Sequence, residues 1–323
     1  MTEQLDVQQM AQRLLAADNI LILCHKNPDG DTIGCGSALY YALKALEKTT
    51  AVLCSDAIPS RYAFTNPRLF KGEFEPRTVI AVDVAGLQLF GENNGVPQYA
   101  RHVDLCIDHH AGNNGYADFT LLDAGAAAAA ELLYQVIVEM GVTITPHIAD
   151  CLYTGIATDT GCFKYSNTTA HTHAAAATLI AAGAEVYPIN KTFFDTKSFA
   201  RLKLEARLTD SIELYGGGIV GLWTMPKLLL DELHISEDDV DSISGFARSI
   251  EGVEIGIMIR EVEDGGGKIS LRTSEHYNAS ELCKALGGGG HAAAAGATVP
   301  GGITGARHAI LSLLAQRGII RER

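Results

Sequence analysis

Apolar residues in the first half of the chain fall into short dense runs set between longer amphipathic stretches. The runs at residues 20–24, 50–54 and 78–82 consist almost wholly of Ile, Leu, Val, Ala and Cys, the texture of strands buried on both faces. A fourth, at residues 103–107, is weaker because Asp104 interrupts it. Between them the spacing turns helical. Residues 3–17 offer Leu5, Met10, Leu14 and Leu15 for burial, and residues 33–47 continue directly from a polar loop. Residues 124–140 form a helix that Gly141 ends, and residues 146–157 a second with Pro146 in its first turn. Strands alternating with helices predict an α/β domain with a largely parallel sheet.

The texture changes toward the C-terminus. Residues 170–208 stay helical with breaks at Gly183 and Pro188. Strands at residues 219–224, 254–260 and 268–273 then follow, joined by glycine clusters at 216–218 and 264–267 that suit hairpin turns. A helix near residues 306–317 closes the chain. The expected organisation is a catalytic domain over residues 1–195, a connecting helix over 196–209, and a smaller α+β domain over 210–323.

Polar clusters sit where the apolar runs stop, and in a parallel sheet ligands bind beyond the carboxyl ends of the strands. The first run breaks into His25-Lys26-Asn27-Pro28-Asp29-Gly30-Asp31. The third ends at Asp83, the fourth at Asp108-His109-His110, and the helix after residue 146 ends in Asp159-Thr160-Gly161. Singly, each is an ordinary turn, with Asp29 a plausible helix cap. Together, four segments bring His and Asp to one face. Carboxylates this close repel unless a cation lies between them. Mixed carboxylate and imidazole donors suit Mn²⁺ or Fe²⁺, with Mg²⁺ and Zn²⁺ as alternatives. So many donors exceed what one ion takes, so two divalent metals are expected.

Composition narrows the function. Of 323 residues 47% are hydrophobic and 20% charged, and the net charge of −13 argues against a track for long duplex nucleic acid. The acidic N-terminus does not read as a signal peptide and no apolar run spans a bilayer, so no membrane partner is expected. Seven cysteines without a C-x-x-C pair predict a reduced, cytoplasmic protein.

His25-x-Asn27-Pro28-Asp29-x-Asp31, Asp83, Asp108-His109-His110 and Gly155-x-x-x-Asp159-Thr160-Gly161 resemble, in order, the motifs of the DHH phosphoesterase superfamily. Gly288-Gly289-Gly290-His291-x-x-Ala294-Ala295-Gly296 is similar to the signature of its associated C-terminal domain. The resemblance implies one metal on His25, Asp29 and Asp83, and another on Asp31, Asp83, His109 and Asp159, with Asp83 bridging. It implies that Asp108 orients a ligating imidazole and that His110 faces the scissile phosphate. It further implies that Arg272 and His291, with Gly288, Gly289 and Gly290, hold the substrate's far phosphate or base.

Length and domain order resemble those of the bacterial nanoRNases. The expectation is hydrolysis of very short oligoribonucleotides or of 3′-phosphoadenosine 5′-phosphate, in a cleft between the domains, by a protein that forms a homodimer. A cyclic di-AMP or pApA phosphodiesterase is the enzymatic alternative. A catalytically silent nucleotide-binding protein is the other. One departure stands out: many relatives carry lysines after the loop histidine, whereas Ala292 and Ala293 stand here, which implies a weaker grip on longer phosphate chains.

Overall fold

The structure is a computed structural model and describes residues 2–235, 240, 243–262, 265–290 and 292–321. The chain divides between Thr196 and Lys197 into two compact units.

The first unit is built on a six-stranded, all-parallel sheet of strands β1 (Glu3–Gln4), β2 (Ile20–Leu23), β3 (Thr50–Leu53), β4 (Thr78–Val82), β5 (Leu105–Asp108) and β6 (Phe119–Leu122), in the order β1-β6-β5-β4-β2-β3. Successive side chains in a strand point to opposite faces, and the core divides accordingly. Ile20, Ile22, Ile80, Val82 and Ile107 face helices α1 (Val7–Ala16), α2 (Gly30–Ala45), α4 (Ala129–Glu139) and α5 (Pro146–Asp159). Leu21, Leu23, Val79, Ala81 and Cys106 face Phe90, Val96 of helix α3 (Val96–Ala100) and the half-buried Phe70. Both faces are covered, which is why these strands read as unbroken apolar runs.

Several boundaries differ from the pattern-based expectation. Residues 3–17 are not one helix: Glu3–Gln4 add an edge strand beside β6, and Asp6 then caps α1 in a reciprocal capping box with Gln9. Leu15 is 42% exposed rather than buried. The fourth run begins at Leu105, because the Asp104 carboxylate accepts the Val79 N–H at 2.7 Å just outside the strand. The segment expected as helix from residue 124 becomes helical only at Ala129.

The helical stretch after residue 170 resolves into α6 (Ala170–Ala181), α7 (Val186–Asn190) with a wider turn over Lys191–Asp195, and α8 (Phe199–Ser211). The expected connecting helix is α8, and it packs into the second unit: Leu204 and Leu208 are fully buried with Trp223 and Met225. That unit holds a mixed sheet of β7 (Glu213–Tyr215), β8 (Val220–Met225), β9 (Ile255–Glu261), β10 (Gly267–Thr273), β11 (Gly289–Gly290) and β12 (Ala294–Val299), in the order β11-β12-β10-β9-β8-β7. The pairs β7–β8 and β9–β10 are antiparallel, and β8–β9 is parallel. Helices Ala279–Lys284 and Gly302–Gln316 bury the sheet's apolar side.

All seven cysteines are free. Among the described residues, no helix is long and apolar enough to cross a membrane.

Candidate metal centre

Strand register brings the polar clusters together. Leu23 of β2 pairs with Ala81 of β4, so His25 and Asp83, each two residues further on, lie level beyond the strand ends. Val82 pairs with Ile107 of β5, which sets Asp108 beside Asp83. Asp29 caps α2, its Oδ1 accepting the N–H groups of Asp31 and Thr32 at 3.1 and 3.2 Å. Asp31 thus starts a helix directly over the strand ends, and Asp159 ends α5 alongside.

Asp83 is the hub. Its Oδ2 lies 3.7 Å from His25 Nε2, which is itself 3.4 Å from Asp29 Oδ1. Its Oδ1 lies 3.5 Å from His109 Nε2, which is 3.2 Å from Asp159 Oδ2 and 3.9 Å from Asp31 Oδ2. Donor atoms of His25, Asp29 and Asp83 therefore close one group, and those of Asp31, His109 and Asp159 a second. The carboxylate of Asp83 reaches toward both. Asp83 also holds φ +59°, a left-handed conformation uncommon outside glycine, of a kind that clusters at functional sites.

Local hydrogen bonds aim these side chains. The ring of His25 meets the Lys26 carbonyl through Nδ1 at 2.7 Å, and that of His109 meets the Ala126 carbonyl through Nδ1 at 3.2 Å. Each imidazole thus turns Nε2 inward, the arrangement of a metal-binding histidine. Asp31 is fully buried, and its two oxygens accept the amides of Ala129 and Ala130 at 2.6 and 3.0 Å. The N-terminus of α4 offers positive partial charge there and has no side-chain cap of its own.

The donor set fits divalent cations. Asp83 Oδ1 and His109 Nε2 are buried without a hydrogen-bond partner, and buried polar atoms are rarely left so. Burial opposes a charge on His25, yet Asp29 and Asp83 outweigh it and push its pKa up to about 11. Burial likewise opposes charge on His109, while Asp159 and Asp83 push it up to about 12. Burial, with the repulsion of Asp83, lifts Asp159 to about 6, and the same causes raise Asp31 well above the carboxylate range. The cluster thus draws in protons to offset its negative charge, and cations facing Nε2 would take their place.

Asp108 differs from expectation. It is fully buried, and its Oδ1 lies 2.8 Å from Nδ1 of His110, not on the inward-turned imidazole of His109. Its Oδ2 accepts Asn113 Nδ2 at 2.6 Å, and its Oδ1 takes the amides of His109 and His110. Asn113 went unnoticed in sequence, although it lies five residues past Asp108. The carbonyl of Ala126 and the amides of Ala129 and Ala130 carry no side-chain signature at all. Gly155 is also part of the construction: a Cβ there would lie 2.5 Å from Asp31 Oδ1.

In the second unit, Arg272 lies on β10 between Gly256 of β9 and Ala294 of β12, and its Nη1 donates to the Leu271 carbonyl at 3.0 Å. Gly289 and Gly290 are strand residues rather than an open loop, and the Gly288 amide donates to the Cys283 carbonyl at 2.8 Å. That amide is already engaged, and a Cβ at Gly288 would lie 2.1 Å from the Gly296 carbonyl, so close packing also requires this glycine. His291 lies outside the described residues.

Comparison with known proteins agrees with the architecture. The chain matches the model of the DHH family, N-terminal domain, over residues 19–156, and that of the DHHA1 domain over residues 225–317. A relative from Thermus thermophilus, named bifunctional oligoribonuclease and PAP phosphatase NrnA, is 32% identical over 290 residues, which cover 87% of this chain and 84% of that one. Among solved structures, an exopolyphosphatase-related protein from Bacteroides fragilis superposes with a TM-score of 0.87 at 24% identity, over 96% of each chain. RecJ from Thermus thermophilus in complex with Mn²⁺ does so with a TM-score of 0.54 at 12% identity, over 96% of this chain and 55% of that one. With its ordered motifs gathered on one sheet edge and both domain models matched, the chain belongs to the DHH family of phosphoesterases, a DHH domain followed by a DHHA1 domain.

Proposed function

We propose that this protein is a cytoplasmic, divalent-metal-dependent hydrolase of very short oligoribonucleotides and of small nucleotide phosphates such as 3′-phosphoadenosine 5′-phosphate. The name of the Thermus relative supports the substrate class. The observation that carries the chemistry is Asp83, a buried carboxylate whose two oxygens face two separate His/Asp groups.

In this reading His25, Asp29 and Asp83 hold one cation, and Asp31, Asp83, His109 and Asp159 another. Mn²⁺ is favoured by the donor set and by the RecJ structure, with Mg²⁺, Fe²⁺ and Zn²⁺ as alternatives. When bound, such a pair activates water as the nucleophile and neutralises charge on the phosphoryl oxygens. The chain's own residues do the rest. Asp31 and Asp159 fix the donor geometry from two helices packed over the sheet. His110, oriented through Nδ1 by Asp108, has Nε2 left to donate a proton to a phosphate oxygen. Arg272, with Gly289, Gly290 and His291, binds the substrate's far phosphate or base, where a guanidinium forms charge-assisted bonds.

The test is a product-resolved assay of dinucleotides, cyclic di-AMP and 3′-phosphoadenosine 5′-phosphate, with Mn²⁺ and with excess chelator. Cleavage of dinucleotide or 3′-phosphoadenosine 5′-phosphate, abolished by chelator, is expected. Faster turnover of cyclic di-AMP would move the protein to the alternative phosphodiesterase class. Binding of all three without cleavage would make it a silent nucleotide-binding protein.

A further inference from the structure

The turn that follows Asp159 is built in an unusual way. Gly161, Cys162 and Phe163 have φ of +55°, +58° and +62°, three consecutive left-handed residues of which two bear side chains. A bulky aromatic in that conformation is costly unless its surroundings enforce it. Here they do. The Thr160 hydroxyl accepts the Phe163 amide at 3.0 Å, and the Cys162 amide donates to the Ala157 carbonyl at 2.7 Å. The amides of Lys164 and Tyr165 both donate to the Thr160 carbonyl. Phe163 turns inward and stacks on His173 with centroids 5.1 Å apart. At the far end, Asn167 Nδ2 donates to the carbonyls of Asp159 and Ala127 at 3.1 Å each, tying the turn back to the residue that begins it.

This anchored turn displays one aromatic side chain outward, beside the exposed Lys164. Tyr165 is 60% exposed, yet its ring is seated rather than free: a Cβ on Gly161 would fall 2.3 Å from Cζ of the ring. Only glycine lets the ring lie there, and Gly161 follows Asp159 by two residues, at most about 7 Å of chain. An aromatic ring is thus exposed and backed by main chain in the turn that directly follows Asp159, one of the candidate metal donors. Neither the metal centre nor the first unit's core uses it. Aromatic rings in that setting are what single-stranded nucleic acid stacks on, because every base has a π-face.

We infer that Tyr165 is the stacking platform for a nucleobase of the substrate, and so a specificity residue for nucleotide over plain phosphate esters. This deepens the phosphoesterase reading and rests on it. The test is a double-mutant cycle on the metal-loaded protein. Parent, Tyr165→Ala and Tyr165→Phe are assayed on a dinucleotide and on its two analogues that each lack one base. Tyr165→Ala should lower kcat/KM on the dinucleotide by about 5- to 150-fold, the span of one base–aromatic stack, chiefly through KM. Tyr165→Phe should stay near the parent. The penalty of Tyr165→Ala should shrink at least fivefold on one of the two analogues. An equal penalty on all three substrates, or none on the dinucleotide, overturns the inference. Absence of dinucleotide cleavage by the parent instead overturns the reading of function, so the two failures are told apart.

Discussion

Asp83 and Asn113 act on the same centre by different means, and the difference can be measured. Asp83 is 2% exposed and has one oxygen without a partner. Asparagine keeps its size and tolerates positive φ, but lacks the charge that two cations share. Asp83→Asn should therefore fold with the Tm of the metal-free parent, lose bound metal and lower kcat by orders of magnitude. Asn113→Ala leaves every candidate metal donor in place and removes the 2.6 Å bond that steadies Asp108 behind His110, together with the bond that Asn113 Oδ1 accepts from the Gly115 amide at 2.8 Å. It should cost about 10–100-fold in kcat, as supporting residues of metal sites do, with metal content unchanged. Metal analysis and steady-state kinetics on both variants decide the matter: metal loss in Asn113→Ala would place the Asp108 network in the ligand set itself.

At the scale of elements, α2, α4 and α5 meet around one carboxylate. Ala124-Gly125-Ala126-Ala127-Ala128-Ala129-Ala130 reads in sequence as plain helix, yet residues 124–127 form a turn and bend that lead through an extended Ala128 into the helix. Ala126 orients His109, Ala127 receives Asn167, and Ala129 and Ala130 hold Asp31. Small side chains here let main chain approach the site, a role that helix propensity does not encode. Gly155 performs the same service on α5, where an added Cβ would lie 2.5 Å from Asp31 Oδ1 and 2.8 Å from Ala130 Cβ. Gly155→Ala should overpack this junction, at a cost of about 1–3 kcal/mol, and displace Asp31. A lower Tm and weaker Mn²⁺ binding by titration are expected; a parent-like Tm and affinity would show that the junction can relax.

At the scale of the whole molecule, every candidate metal donor lies before Thr196, while the only tryptophan, Trp223, is buried in the second unit's core. Ligand binding stabilises the unit that binds by about 2.7 kcal/mol at a hundredfold excess over Kd. Chelation should therefore lower the melting transition followed by circular dichroism and leave that followed by Trp223 fluorescence in place. An equal shift in both would mean that the two units unfold as one. The same division marks what could be read without coordinates. Buried parallel strands need apolar side chains at successive positions, so the sheet core of β2, β3, β4 and β5 was written in residue types, and the candidate donors His25, Asp29, Asp31, Asp83, His109 and Asp159 could be named from the sequence because they too are side chains, set where strands or helices end. Strands β1, β6, β7, β11 and β12 were missed, because two to six residues with mixed or small side chains acquire strand character only from the neighbour they pair with. The partner of Asp108, the carbonyl behind His109 and the amides on Asp31 were also hidden. Backbone groups are the same at every residue, and only the tertiary structure decides which of them a buried charge will meet.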